Sequence, residues 1–104
     1  NALVLLSPST TEGFGLPPGE AALLGCPVIV AAAGALDEIW RPAQATAPPH
    51  DVEAWRRRLD SYAADPASRA AAAGRARRVA EGYTWRRAAQ TLRDLAEGYT
   101  RAAA

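Results

Sequence analysis

Glu12-Gly13-Phe14-Gly15-Leu16-Pro17-Pro18-Gly19-Glu20 follows the apolar run Ala2 to Leu6 and leads into Ala21-Ala22-Leu23-Leu24. The apolar run predicts a strand, so Glu12 falls in a turn just beyond a strand end while Glu20 opens a helix. Gly13 and Gly15 let the backbone approach a ligand closely and take positive φ, which residues with a Cβ resist. Pro17 and Pro18 have a fixed φ and no amide hydrogen, so they suit the first helical turn and cannot themselves cradle an anion. Amide donors must come from Gly13, Phe14, Gly15, Leu16 or Gly19. The positive end of a helix starting near Pro18 faces that loop, and a diphosphate there is stabilised without a metal. Two carboxylates on either side could hold other parts of the same polar ligand.

The chain on either side extends this unit. Gly25 predicts the end of a short helix from Gly19 to Leu24, and Pro27-Val28-Ile29-Val30-Ala31 reads as a buried, β-branched strand. Strand, glycine turn, helix and strand make a β-α-β unit with parallel strands and a right-handed crossover. Ligands of open α/β sheets bind at the carboxyl ends of such strands. Ala45-Thr46-Ala47 is expected as a short third strand.

The second half is helical. Asp51 is a candidate N-cap, with Val52, Trp55, Leu59 and Tyr62 forming one apolar stripe behind it. Asp65-Pro66 predicts a further helix that stops near Gly82, and Thr84 caps a last one. Along that last helix Trp85, Ala88, Ala89, Leu92, Leu95, Ala96 and Tyr99 form a continuous face expected to be core.

Ser9-Thr10-Thr11-Glu12-Gly13-Phe14-Gly15-Leu16-Pro17-Pro18-Gly19-Glu20-Ala21, continued by Gly25-Cys26-Pro27-Val28-Ile29-Val30, resembles the signature of retaining glycosyltransferases of family four. The likeness runs on through Ala33-Gly34-Ala35-Leu36-Asp37-Glu38 and Pro49-His50-Asp51-Val52-Glu53-Ala54 to the helix opened by Tyr83-Thr84-Trp85. It implies the GT-B architecture, two Rossmann-like domains with the active site in the cleft between them. By that resemblance residues 1–104 are a fragment of the carboxyl-terminal, donor-binding domain: an α/β, partial Rossmann-like fold with a short parallel sheet followed by three helices.

The resemblance also implies roles. Glu20 matches the glutamate that accepts hydrogen bonds from the ribose hydroxyls of the nucleotide, and Glu12 the one that contacts the transferred sugar and stands as the catalytic candidate. The amides of Gly13, Phe14, Gly15 and Leu16 would face the sugar and its diphosphate. The implied donor is a UDP- or GDP-sugar and the implied acceptor a glycan or lipid-linked sugar held by the amino-terminal domain. No cofactor or metal is implied. Product stereochemistry, retention at the anomeric carbon, comes from the family alone. So does an upstream Arg and Lys pair that neutralises the diphosphate, whereas this sequence has no lysine. The last helix of such enzymes crosses back onto the amino-terminal domain. Asp37 departs from the more usual proline, and Glu38 is expected as a helix cap or a ligand contact.

Composition limits the alternatives. A chain of 104 residues is one small domain, and with no methionine it is expected to be a piece of a larger enzyme, starting past that enzyme's initiation codon and inert alone. Lacking lysine, it holds neither a Walker A loop nor a Schiff base. One Cys and one His make no structural zinc site, and Cys26, heading an apolar strand, is expected in the core. A lone cysteine forms no disulfide within the chain, which agrees with a cytoplasmic setting, including the inner face of a membrane. A dinucleotide fingerprint would need glycine where Pro18 stands. Arg41 is the only basic residue before His50, itself expected in a surface loop, and the other eleven arginines follow. Arg56-Arg57-Arg58 spread around more than half a helix, Glu53 with Arg57 and Arg93 with Glu97 are favourable pairs, and the net charge is +1. That pattern is a solvated surface and not a nucleic-acid site, with peripheral membrane contact left open for the parent enzyme. A non-catalytic interaction module of the same fold is the alternative function.

Overall fold

The protein's structure, a computed structural model, describes residues 2–10 and 16–103, with Trp85 and 101–103 as backbone only. Among the described residues, strands β1 (Leu5–Ser7), β2 (Val28–Ala31) and β3 (Thr46–Ala47) form a parallel sheet in the order β1-β2-β3. Helices α1 (Leu16–Leu23), α2 (Gly34–Trp40), α3 (Val52–Ala64), α4 (Pro66–Glu81) and α5 (Trp85–Ala103) follow in chain order, with a 3-10 turn over Arg41–Ala43. Leu5 pairs with Val28 and Ser7 with Val30 on one side of β2, and Val30 pairs with Thr46 on the other.

β2 is buried along its whole length, and its alternation divides the core. Val28 and Val30 pack with Ala22, Leu36, Ile39, Trp40, Ala76 and Ala80, so α1, α2 and α4 cover one face. Ile29 packs with Ala47, Tyr62 and Ala72, joined by Trp55 and Leu59 of α3 on the other. Ala72, Ala76 and Ala80 are buried at intervals of one turn, and this small-residue stripe lets α4 lie close against its neighbours.

Helix boundaries follow local chemistry. Asp51 accepts a hydrogen bond from the Ala54 amide at 3.0 Å, Asp65 from Ala67 at 3.0 Å, and the Thr84 hydroxyl from Arg87 at 3.1 Å. Pro66 occupies the first turn of α4 as expected. The irregular backbone between the 3-10 turn and β3 is satisfied by arginines. Arg75 donates to the Ala43 carbonyl at 3.1 Å, and Arg58 to the carbonyls of Gln44 and Thr46, the latter at 3.1 Å. Arg69 likewise donates to the Tyr62 carbonyl at 2.8 Å. These three arginines are therefore partly buried partners of the backbone, not the solvated charges that composition suggests.

Several expectations are corrected. β1 is displaced toward Ser7 relative to the apolar run, because only Leu5 to Ser7 reach β2. α1 starts at Leu16, taking both prolines into its first turn. α2 is not among the expected helices, although Leu36, Ile39 and Trp40 have the helical spacing of a buried face. Glu38 lies exposed within α2, whose N-cap is Ala33 with no side-chain bond, so it is not a cap. Cys26 is only half-buried. Val52 is 79% exposed and does not belong to the stripe that Trp55, Leu59 and Tyr62 bury. Glu53 pairs with Arg56, one residue short of the expected Arg57, and Arg56 also reaches Asp60 at 2.9 Å. The face of α5 is open: Leu92, Leu95 and Tyr99 are exposed, since among the described residues no element packs on it extensively. His50 is exposed in a turn, as expected.

Ile29→Ala is expected to cost about 2–5 kcal/mol in urea unfolding, and Val52→Ala to stay within about 0.5 kcal/mol. Comparable losses would mean that Val52 is part of the core. Hydrogen bonding to Arg56, aided by the nearby charge of Arg57, lowers the Glu53 pKa. Its folded value lies below the unfolded one, so the small contribution of this exposed pair is present above the unfolded value and is lost as the pH falls through the folded one. Arg56→Gln should move the Glu53 titration, followed by carboxyl carbon NMR, back upward.

Candidate functional site

All three strands run in the same direction, so their carboxyl ends share one edge of the sheet, which the chain leaves at Pro8, Ala32 and Pro48. From β1 it passes through Ser9 and Thr10, and the described structure resumes at Leu16, the first residue of α1. Four of the six candidate residues, Glu12, Gly13, Phe14 and Gly15, lie outside the described residues.

Leu16 and Glu20 lie one turn apart and so share a face of α1. Both are exposed, Leu16 at 62%, while Pro18, Gly19 and Ala22 on the opposite side are buried. No ion pair joins Glu20 to another described residue. Among the described residues its carboxylate therefore meets solvent. Within the first turn of α1 the prolines at 17 and 18 donate nothing, which leaves the Leu16 and Gly19 amides as the helix's first donors.

The far end of α1 fixes how the chain returns. Gly25 adopts φ +83°, its amide bonds the Ala22 carbonyl at 3.1 Å, and the Cys26 amide bonds the Ala21 carbonyl at 2.9 Å. This is a Schellman ending, and it turns the chain directly into β2. At the end of β2 the Ala33 amide closes a tight turn onto the Ala31 carbonyl at 2.8 Å before α2 begins at Gly34, φ +53°. At the end of β3 the Trp55 indole donates to the Pro48 carbonyl at 2.8 Å and anchors the segment carrying His50 and Asp51.

A groove of about 670 Å³ runs beside Leu16, lined also by Gly82, Tyr83, Thr84, Arg87, Ala88 and Thr91. Sequence spacing gives no sign that the α4–α5 junction comes beside Leu16, because that approach is set by the packing of α4 on α1. Among the described residues no cluster of three His, Cys, Asp or Glu side chains could hold a metal ion, and no helix is long and apolar enough to cross a membrane.

Gly25→Ala should cost about 1–2 kcal/mol, measured by thermal unfolding, because a Cβ in left-handed backbone is strained. Nothing lies within 4 Å of that Cβ, so a larger loss would have to come from elsewhere.

Known proteins resemble this chain in sequence and in fold. The family pattern described as Glycosyl transferases group 1 matches residues 1–79, from the first strand to near the end of α4. The D-inositol 3-phosphate glycosyltransferase of Saccharomonospora viridis is 36% identical over 97 residues, which cover 88% of this chain and 22% of that protein. The protein of the same name from Salinispora tropica is 37% identical over 99 residues, covering 93% of this chain and 20% of its own length. Sucrose-phosphate synthase from Thermosynechococcus elongatus superposes with a TM-score of 0.80 at 30% identity, covering 97% of this chain and 26% of that one. The expected α/β fold of a GT-B carboxyl-terminal domain is borne out by that superposition. The chain spans about a fifth of the length of the curated relatives it matches. With three quarters of its residues inside the matched pattern and the same fold in a solved relative, the chain belongs to the glycosyl transferases group 1 family.

Proposed function

We propose that this chain is the donor-gripping part of a retaining glycosyltransferase that moves a sugar from a UDP- or GDP-sugar to an acceptor hydroxyl. The observation that carries the proposal is the exposed Glu20 carboxylate, without an ion-pair partner among the described residues, one turn into the helix that follows the first parallel strand. Family membership supports it, and by the resemblance of the motif Glu20 matches the glutamate that holds the ribose and Glu12 the one that contacts the transferred sugar.

The chemistry is consistent with these roles. Cleavage of a glycosyl phosphate develops positive charge on the anomeric carbon and negative charge on the departing diphosphate. In this proposal amides of Gly13, Phe14, Gly15 and Leu16, just ahead of the positive end of a helix, would stabilise that negative charge more in the transition state than in the bound donor. Glu20 orients the nucleotide and Glu12 the sugar, so binding energy remote from the breaking bond holds the reacting atoms in place. Retention is carried over from the resembled family: the acceptor oxygen bonds to the anomeric carbon on the face from which the diphosphate leaves, and the acceptor's proton passes to the departing phosphate oxygen.

The acceptor site, and the Arg and Lys that neutralise the diphosphate, belong in this proposal to other parts of the parent enzyme, and the isolated chain is inert. The open face of Leu92, Leu95 and Tyr99 on α5 suits a surface that meets the amino-terminal domain. A cytoplasmic setting, extending to the inner membrane face for a lipid-linked acceptor, agrees with the lone cysteine. The relatives named for D-inositol 3-phosphate make a phosphorylated polyol the first acceptor to assay, ahead of glycans and lipid-linked sugars.

In the full-length enzyme, Glu20→Ala is expected to reduce kcat/KM by the equivalent of about 1.5–3 kcal/mol, the scale of a hydrogen bond to a charged group. Unchanged kinetics would remove Glu20 from the site. Glu12→Ala should depress kcat at least as strongly, and a wild-type rate there would end its assignment. Titration with UDP or GDP should shift the NMR signals of Leu16 and Glu20 and leave those of α3 in place; shifts confined to α5 would favour an interaction module instead.

A further inference from the structure

We draw no further inference here: the strongest candidate, the groove between the first turn of α1 and the α4–α5 junction with the adjoining apolar face of α5, carries nothing because nothing in the structure shows what covers it.

Discussion

Burial of β2 on both faces is the constraint from which the rest of the architecture follows. Val28, Ile29 and Val30 are at most 1% exposed. Each fully buried aliphatic side chain of this size contributes about 1.5–3 kcal/mol. A strand that is apolar on both sides needs helices on both sides, and helices can reach both faces only through crossover connections. Crossovers make the strands parallel, and parallel strands bring their carboxyl ends to one edge. The candidate site exists at that edge because a four-residue strand has no polar face.

Small and long side chains divide the remaining work. Alanines at 22, 76 and 80 let α1 and α4 close over Val28 and Val30, where larger residues would hold the helices apart. Arginines 58, 69 and 75 act differently: their flexible stems reach across the surface and their planar heads supply donors to carbonyls that no strand or helix satisfies. Gln44, in left-handed backbone at φ 57°, sits within the segment they hold. Charge in this half is thus partly structural, and the net basic content of the helices says little about partners.

α5 stands apart from this economy. It runs for 19 residues, opens on a Thr84 cap, and leaves Leu92, Leu95 and Tyr99 in solvent. Isolated helices gain little from propensity alone, and most helical stability in proteins comes from packing of an apolar face. The family pattern ends at residue 79, before this helix begins, while the solved relative aligns over 97% of the chain.

Features governed by neighbours in sequence were legible from the sequence. The β2 run, the caps at Asp51, Asp65 and Thr84 and the glycine ending at Gly25 depend on contacts within a few residues, and periodicity or backbone preference encodes them directly. α2 escaped because its short apolar pattern at Leu36, Ile39 and Trp40 is flanked by Gly34 and broken by Asp37-Glu38. Tertiary structure alone decided that Glu20 stays exposed while Gly19 is buried, that Arg58 and Arg75 turn inward, that Cys26 is half-covered, and that Leu16 faces the α4–α5 junction. Each of these outcomes depends on which distant surface arrives beside a residue. Local pattern specifies the face a residue occupies, whereas the packing of whole elements determines what that face meets.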